Sequence, residues 1–152
     1  MTEKLDDLHL TAWRNLITAH ALLIDTIDRE LSEAEKVPLQ WYDVLIELYE
    51  APDHRLRMTE LARKVVLTKS TVSRLVDRLE AEGLLTRETA PTDGRGAFAV
   101  LTDKGHQALR DAWHVYAKGI KTHFAQHLND DETETFVRVF QKIIDHIGSD
   151  PA

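Results

Sequence analysis

Val72, Leu75, Val76 and Leu79 stand at i, i+3, i+4 and i+7, and the residues among them, Lys69, Ser70, Thr71, Ser73, Arg74, Asp77 and Arg78, are all polar or charged. At 3.6 residues per turn the four aliphatic side chains form one stripe of a helix, and the hydroxyls and guanidinium groups take the other side. Thr68 offers a cap at the start of this helix, and Gly83 supplies a left-handed stop beyond it. The stripe must be seated in a core while the opposite side, built mostly of short side chains, stays open to close approach. A plainer account is a surface helix in which Arg74 merely pairs with Asp77 at i+3, worth a few tenths of a kcal/mol.

The flanking segments decide what such a helix is embedded in. From about Leu5 to Glu33 there is no Pro or Gly, and Leu8, Ala12, Leu16, Ala19, Leu23, Ile27 and Leu31 keep helical spacing. A second row, Trp13, Ile17 and Ile24, widens the apolar face beyond what one neighbour can cover. Pro38 opens a shorter helix through Trp41, Val44, Leu45, Leu48 and Tyr49 that stops before Pro52. His54 to Met58 can hold a brief strand, and Thr59 is placed to cap a helix containing Leu61, Ala62 and Val65. Leu84–Thr89 and Ala97–Leu101 read as strands joined by a loop, Ala90 to Gly96, whose Pro and two Gly residues mark a hairpin. Thr102 and Asn129 each offer a cap to a further helix, the first reaching toward His127 and the second carrying Phe136, Val139, Phe140, Ile143 and Ile147.

A capped helix, a tight turn, a polar-faced helix, a strand, a basic hairpin tip and a second strand follow in the order of a winged helix-turn-helix. The fold class expected is therefore mainly α with a small β-wing. It forms a single domain in which residues 37–102 make the winged region, flanked by helices in residues 1–36 and 103–148. Charge is distributed to match. The chain has a net charge of −7, which by itself argues against a polyanionic partner. Yet Arg55 to Arg95 holds nine Lys/Arg against six Asp/Glu, while the rest has ten against twenty. A basic middle between acidic flanks suits a face for duplex DNA on a scaffold that does not touch it. Thr68, Lys69, Ser70, Thr71, Ser73, Arg74 and Arg78 are the candidates for bases or phosphates in the major groove. Arg95, at the hairpin tip beside Gly94, is the candidate for the minor groove, and Asp93 could direct it by pairing with Arg95 or Arg87.

Met58-Thr59-Glu60-Leu61-Ala62, Ser70 to Glu80, Gly83-Leu84-Leu85, Asp93-Gly94-Arg95 and Leu101-Thr102-Asp103-Lys104-Gly105 resemble the MarR family of bacterial transcriptional regulators. The resemblance covers nearly the whole chain. It implies a homodimer with residues 1–36 and 103–148 as dimerisation helices, a pseudo-palindromic operator, usually repression, and often relief of repression by a small aromatic or phenolic effector bound between dimerisation and DNA-binding regions. Two positions depart from the pattern. Gly94 stands where the family often has a second wing arginine, and Val65-Val66-Leu67 fills a turn that frequently carries Gly.

Trp13, His20, Trp41, Tyr42 and Trp113 lie on the scaffold helices where the resemblance puts an effector pocket, and packing alone would equally account for them. His123 and His127, at i and i+4, have no recognisable third ligand, so no metal and no cofactor is expected. The chain has no cysteine, which excludes thiol redox sensing and disulfides. No phosphate loop, nucleophile elbow or zinc-protease helix appears, so an enzyme is not expected. The polar, acidic N-terminus and the lack of a long apolar run lead to the expectation of a cytoplasmic protein with no membrane partner. Two other readings remain open: a DNA-binding regulator with no effector, and a protein-interaction module of the same fold.

Overall fold

Asp6, in extended conformation, accepts a hydrogen bond from the His9 N–H at 2.8 Å and so starts the first helix, α1 (Asp7–Glu33). The computed structural model describes residues 4–65, 69–89 and 96–148, and of residue 69 only the backbone. α2 (Leu39–Glu50) follows, with Pro38 at its N-cap position and its first N–H, on Leu39, held by the Asp28 carboxylate of α1 at 3.0 Å. A proline lacks the N–H that a helix start would leave unpaired, so it fits there. α2 buries Leu39, Tyr42, Val44, Leu45 and Leu48 and ends ahead of Pro52. Asp53 and His54 then take left-handed backbone angles and turn the chain into strand β1 (Arg55–Arg57).

Helices α3 (Met58–Lys64) and α4 (Lys69–Ala81) come next, then β2 (Leu85–Thr89), β3 (Ala97–Leu101), α5 (Asp103–His123), a 3-10 turn (Ala125–His127) and α6 (Asp130–Gly148). The three strands form one antiparallel sheet in the order β1-β3-β2. Leu56, Ala99 and Arg87 share a rung across it. With a side-chain period of two, Leu85 points to the same side as Arg87. Leu56, Leu85 and Ala99 are buried, which identifies this as the face turned to the core.

Two compact units divide the chain, one running to Ala117 and one from Lys118. In the first, Leu31, Leu45, Leu48, Leu61, Leu79 and Leu85 are fully buried. Each such leucine contributes about 1.5–3 kcal/mol from removal of apolar surface. One latch joins the end of α4 to the start of α5. Gly83 adopts φ +77°, its carbonyl accepts from the Thr102 hydroxyl at 2.7 Å, and that hydroxyl accepts from the Gly105 N–H at 3.0 Å. Lys104 Nζ donates to the Glu82 carbonyl at 2.8 Å. The second unit contains the end of α5, the 3-10 turn and α6. Asn129 and Glu132 form a reciprocal capping box at 2.8 and 3.0 Å, and Phe136 packs edge-on to Phe124 and stacks on Phe140.

Two expectations are corrected. Thr59 is not the cap, because the chain passes straight from β1 into α3: Arg57 is the N-cap, with no side-chain capping bond, and Thr59 already lies inside the helix. α5 stops at His123 rather than near His127, since Phe124 leaves helical angles (φ −125°, ψ −66°). Among the described residues, no helix is long and apolar enough to cross a membrane.

Candidate nucleic-acid interface

α4 has the two sides its spacing requires. Val72, Leu75, Val76 and Leu79 are between 0% and 5% exposed. Ser70, Ser73, Arg74, Asp77 and Arg78 are exposed on the rest of the helix, with Thr71 half-buried at the margin. Among the described residues neither Arg74 nor Arg78 has an ion-pair partner, and both side chains are exposed. Asp77 does not pair with Arg74 as the surface-helix account required. Its carboxylate meets Arg87 of β2 at 2.6 Å instead. Lys69 is the first residue of α4, while Thr68 lies outside the described residues.

Arg87 was named only as an alternative partner for Asp93. In the structure its guanidinium reaches Asp77, Glu80 (3.3 Å) and the Ser73 carbonyl (3.4 Å), all on α4. Its backbone N–H also donates to Glu80 at 3.1 Å. The strand period shows only that Arg87, two residues after Leu85, shares its face; which carboxylates it meets is chosen by the packing of β2 on α4. An open depression of about 270 Å³ adjoins this contact, lined by Met58, Val72, Ser73, Arg87 and Ala97. Asp93 and Arg95 lie outside the described residues, as does the Asp93 pairing. The strands that carry their loop are ordered by β2–β3 pairing from Leu85↔Leu101 to Thr89↔Ala97. On the outer face of the sheet, Arg55 and Arg57 lie over the Phe98 ring at 4.2 and 5.0 Å, and Arg55 pairs with Glu88 at 3.2 Å.

The scaffold aromatics separate into two groups. Tyr42 and Trp113 come together, centroids 6.5 Å apart, and Tyr116 joins them at 5.0 Å from Tyr42 and 5.9 Å from Trp113. Tyr116 was not among the sequence candidates, though its i+3 relation to Trp113 was visible. Burial raises the Tyr42 and Tyr116 phenols above their ordinary value of 10.0, with Asp43 adding to both. Burial, then Glu47, likewise raises the Asp43 carboxyl. Trp13 and His20 are exposed on α1, and Trp41 is half-buried on α2. Among the described residues none of the three makes a ring contact with the Tyr42 cluster. No three metal-ligating side chains converge among the described residues.

Comparison with known proteins matches residues 36–96 to the MarR family model. Sco3205, a MarR family transcriptional regulator from Streptomyces coelicolor solved in complex with DNA, shares 33% identity and superposes with a TM-score of 0.90, covering 99% of this chain and 94% of that one. The regulator MhqR of Bacillus subtilis is 28% identical over 94% of this chain and 93% of its own length. The Bacillus subtilis transcriptional repressor YetL is 28% identical over 70% of this chain, and the match spans 64% of YetL.

Proposed function

The chain belongs to the MarR family of transcriptional regulators, and from there we propose that it binds duplex DNA as a homodimer and represses transcription from the site it occupies. One observation carries this reading: α4 is anchored by four buried aliphatic residues and carries Ser70, Ser73, Arg74 and Arg78 on its exposed surface. A helix held in that way can enter a major groove, where Arg74 and Arg78, one turn apart, reach guanine edges or phosphates. Lys69 and Thr71 of α4 are proposed to add contacts there, with Thr68 just ahead of them in sequence, and Arg95 of the hairpin loop, with Asp93, is the proposed reader of the minor groove. The relatives add weight, since Sco3205 was solved with DNA and YetL is described as a repressor.

The test is an anisotropy titration of a duplex from the gene's own promoter region at fixed salt. Salt-sensitive, sequence-preferring binding is expected, with Arg74→Ala weakening it by more than about 1 kcal/mol. Binding that is absent, or indifferent to salt, turns the reading toward a protein-interaction module of the same fold. An unchanged affinity for Arg74→Ala removes that residue's role alone.

A small aromatic or phenolic effector is favoured by the Tyr42–Trp113–Tyr116 cluster, which offers stacking faces and two phenols between α2 and α5. Aromatic acids and phenols should raise the melting temperature and lower operator affinity, and replacing Trp113 by Ala should abolish both effects. A full panel that shifts neither quantity favours a regulator without an effector.

A further inference from the structure

Asp77 and Glu80 stand on the same helix as Arg74 and Arg78, and both are solvent-exposed. An exposed carboxylate on a helix that approaches phosphates repels them, and like charges brought together at an interface weaken association strongly. Each of these carboxylates is held by one side chain from another element. Arg87 pairs with Asp77 at 2.6 Å and with Glu80 at 3.3 Å, and its own backbone N–H donates to the second Glu80 oxygen at 3.1 Å. The same guanidinium donates to the Ser73 carbonyl, which lies one residue from Arg74. Arg87 is half-buried, because it shares the inward face of β2 with Leu85.

We propose that Arg87 is a positioning residue for DNA recognition, which cancels the two carboxylates of α4 and fixes the wing strand to that helix, a role that exists only if α4 does read a duplex. Arg87 need not touch DNA. It acts through Asp77 and Glu80, so that the charge α4 presents is set by Arg74 and Arg78, and through β2, so that the hairpin starts from a fixed place beside the helix. Arginine suits the task because its planar fork can serve two carboxylates and a carbonyl at once.

The role predicts a specific coupling. In the wild-type background Arg87→Gln should weaken operator binding by about tenfold or more, because two carboxylates are uncovered beside the groove. In an Asp77→Asn/Glu80→Gln background the same replacement should cost less than about threefold, since there is no longer charge to cancel. Fluorescence anisotropy on the full-length protein at fixed salt measures all four Kd values, with thermal melts confirming that each variant folds. An equal loss in both backgrounds overturns the proposal, because Arg87 would then act on DNA or on the strand alone. No loss in either background overturns it as well. If Arg87→Gln does not fold, Arg87→Lys replaces it: affinity within about threefold of wild type supports charge cancellation, and a loss beyond about tenfold overturns it. Wild-type protein that does not bind the duplex at all removes the duplex-binding reading itself, an outcome distinct from either of these.

Discussion

Gly105, in the first turn of α5, is buried against Leu84, which lies between α4 and β2. A Cβ there would run into the Leu84 carbonyl and lie 2.8 Å from Leu101 Cδ1. The obstacle on one side is backbone, which cannot swing aside as a flexible side chain can. Gly105→Ala should therefore destabilise the fold by about 1–3 kcal/mol, seen as a lower midpoint in urea with an unchanged slope. A midpoint within error of wild type would mean that the latch yields without cost. Tyr42 and Tyr116 make a second prediction, in which the sign follows from protonation. Both phenols are raised above 10.0, mainly by burial. The unfolded chain thus loses these protons first, so the stabilisation is complete below pH 10 and is lost as pH rises through and beyond it. The melting temperature should drop above pH 10, and drop less steeply in Tyr116→Phe. Parallel curves for variant and wild type would remove the tyrosines as the cause.

Elements whose ends are marked by local chemistry were legible in the sequence, and those marked by distant contacts were not. Asn129 and Glu132, three residues apart, cap α6 in the manner their spacing implies. Asn129→Ala should cost about 0.5–2 kcal/mol of helix stability, measured as faster amide exchange in the first turn of α6. Unchanged exchange there would show that the acidic first turn suffices. The α4 stripe was equally readable, because burial follows the same 3.6 period as the aliphatic residues. Thr59 misled for a physical reason: a hydroxyl before a helical pattern signals a cap only if the chain is not already helical, and β1 delivers it into α3 at Met58. The partners of Arg87 lay beyond reach because Asp77, Glu80 and Asp93 are equivalent in sequence. Only the packing of β2 against α4 chooses among them. Tyr116 was missed similarly, since what gathers it with Tyr42 is the packing of α5 on α2, not any spacing within α5.

At the scale of the whole molecule, two helices present apolar faces that the protomer leaves uncovered. On α1, Leu8 is 78%, Leu22 62% and Trp13 58% exposed, with Ile17 and Ile24 beside them, and on α6 Val137, Ile144 and Ile147 are each more than 60% exposed. Soluble monomers rarely carry apolar surface on this scale, and the homodimer proposed above would set a second copy of the chain against it. In that proposed arrangement two copies of α4 would occupy successive major grooves about 34 Å apart, and the free energies of the two half-sites would combine in one binding event. Ile144→Glu and Ile17→Glu therefore separate two quantities that a protomer-only account would leave untouched. Both side chains are already exposed in the protomer, so the melting behaviour of a monomer should barely change. A buried, unpaired carboxylate at a dimer interface is costly, so sedimentation equilibrium at micromolar concentration should show dissociation. Operator affinity should fall by at least about a hundredfold, toward that of a single half-site, although neither substitution lies near α4. Variants that remain dimeric would assign the interface to other surfaces, and dissociated variants that keep full operator affinity would show that one protomer is enough to read the site.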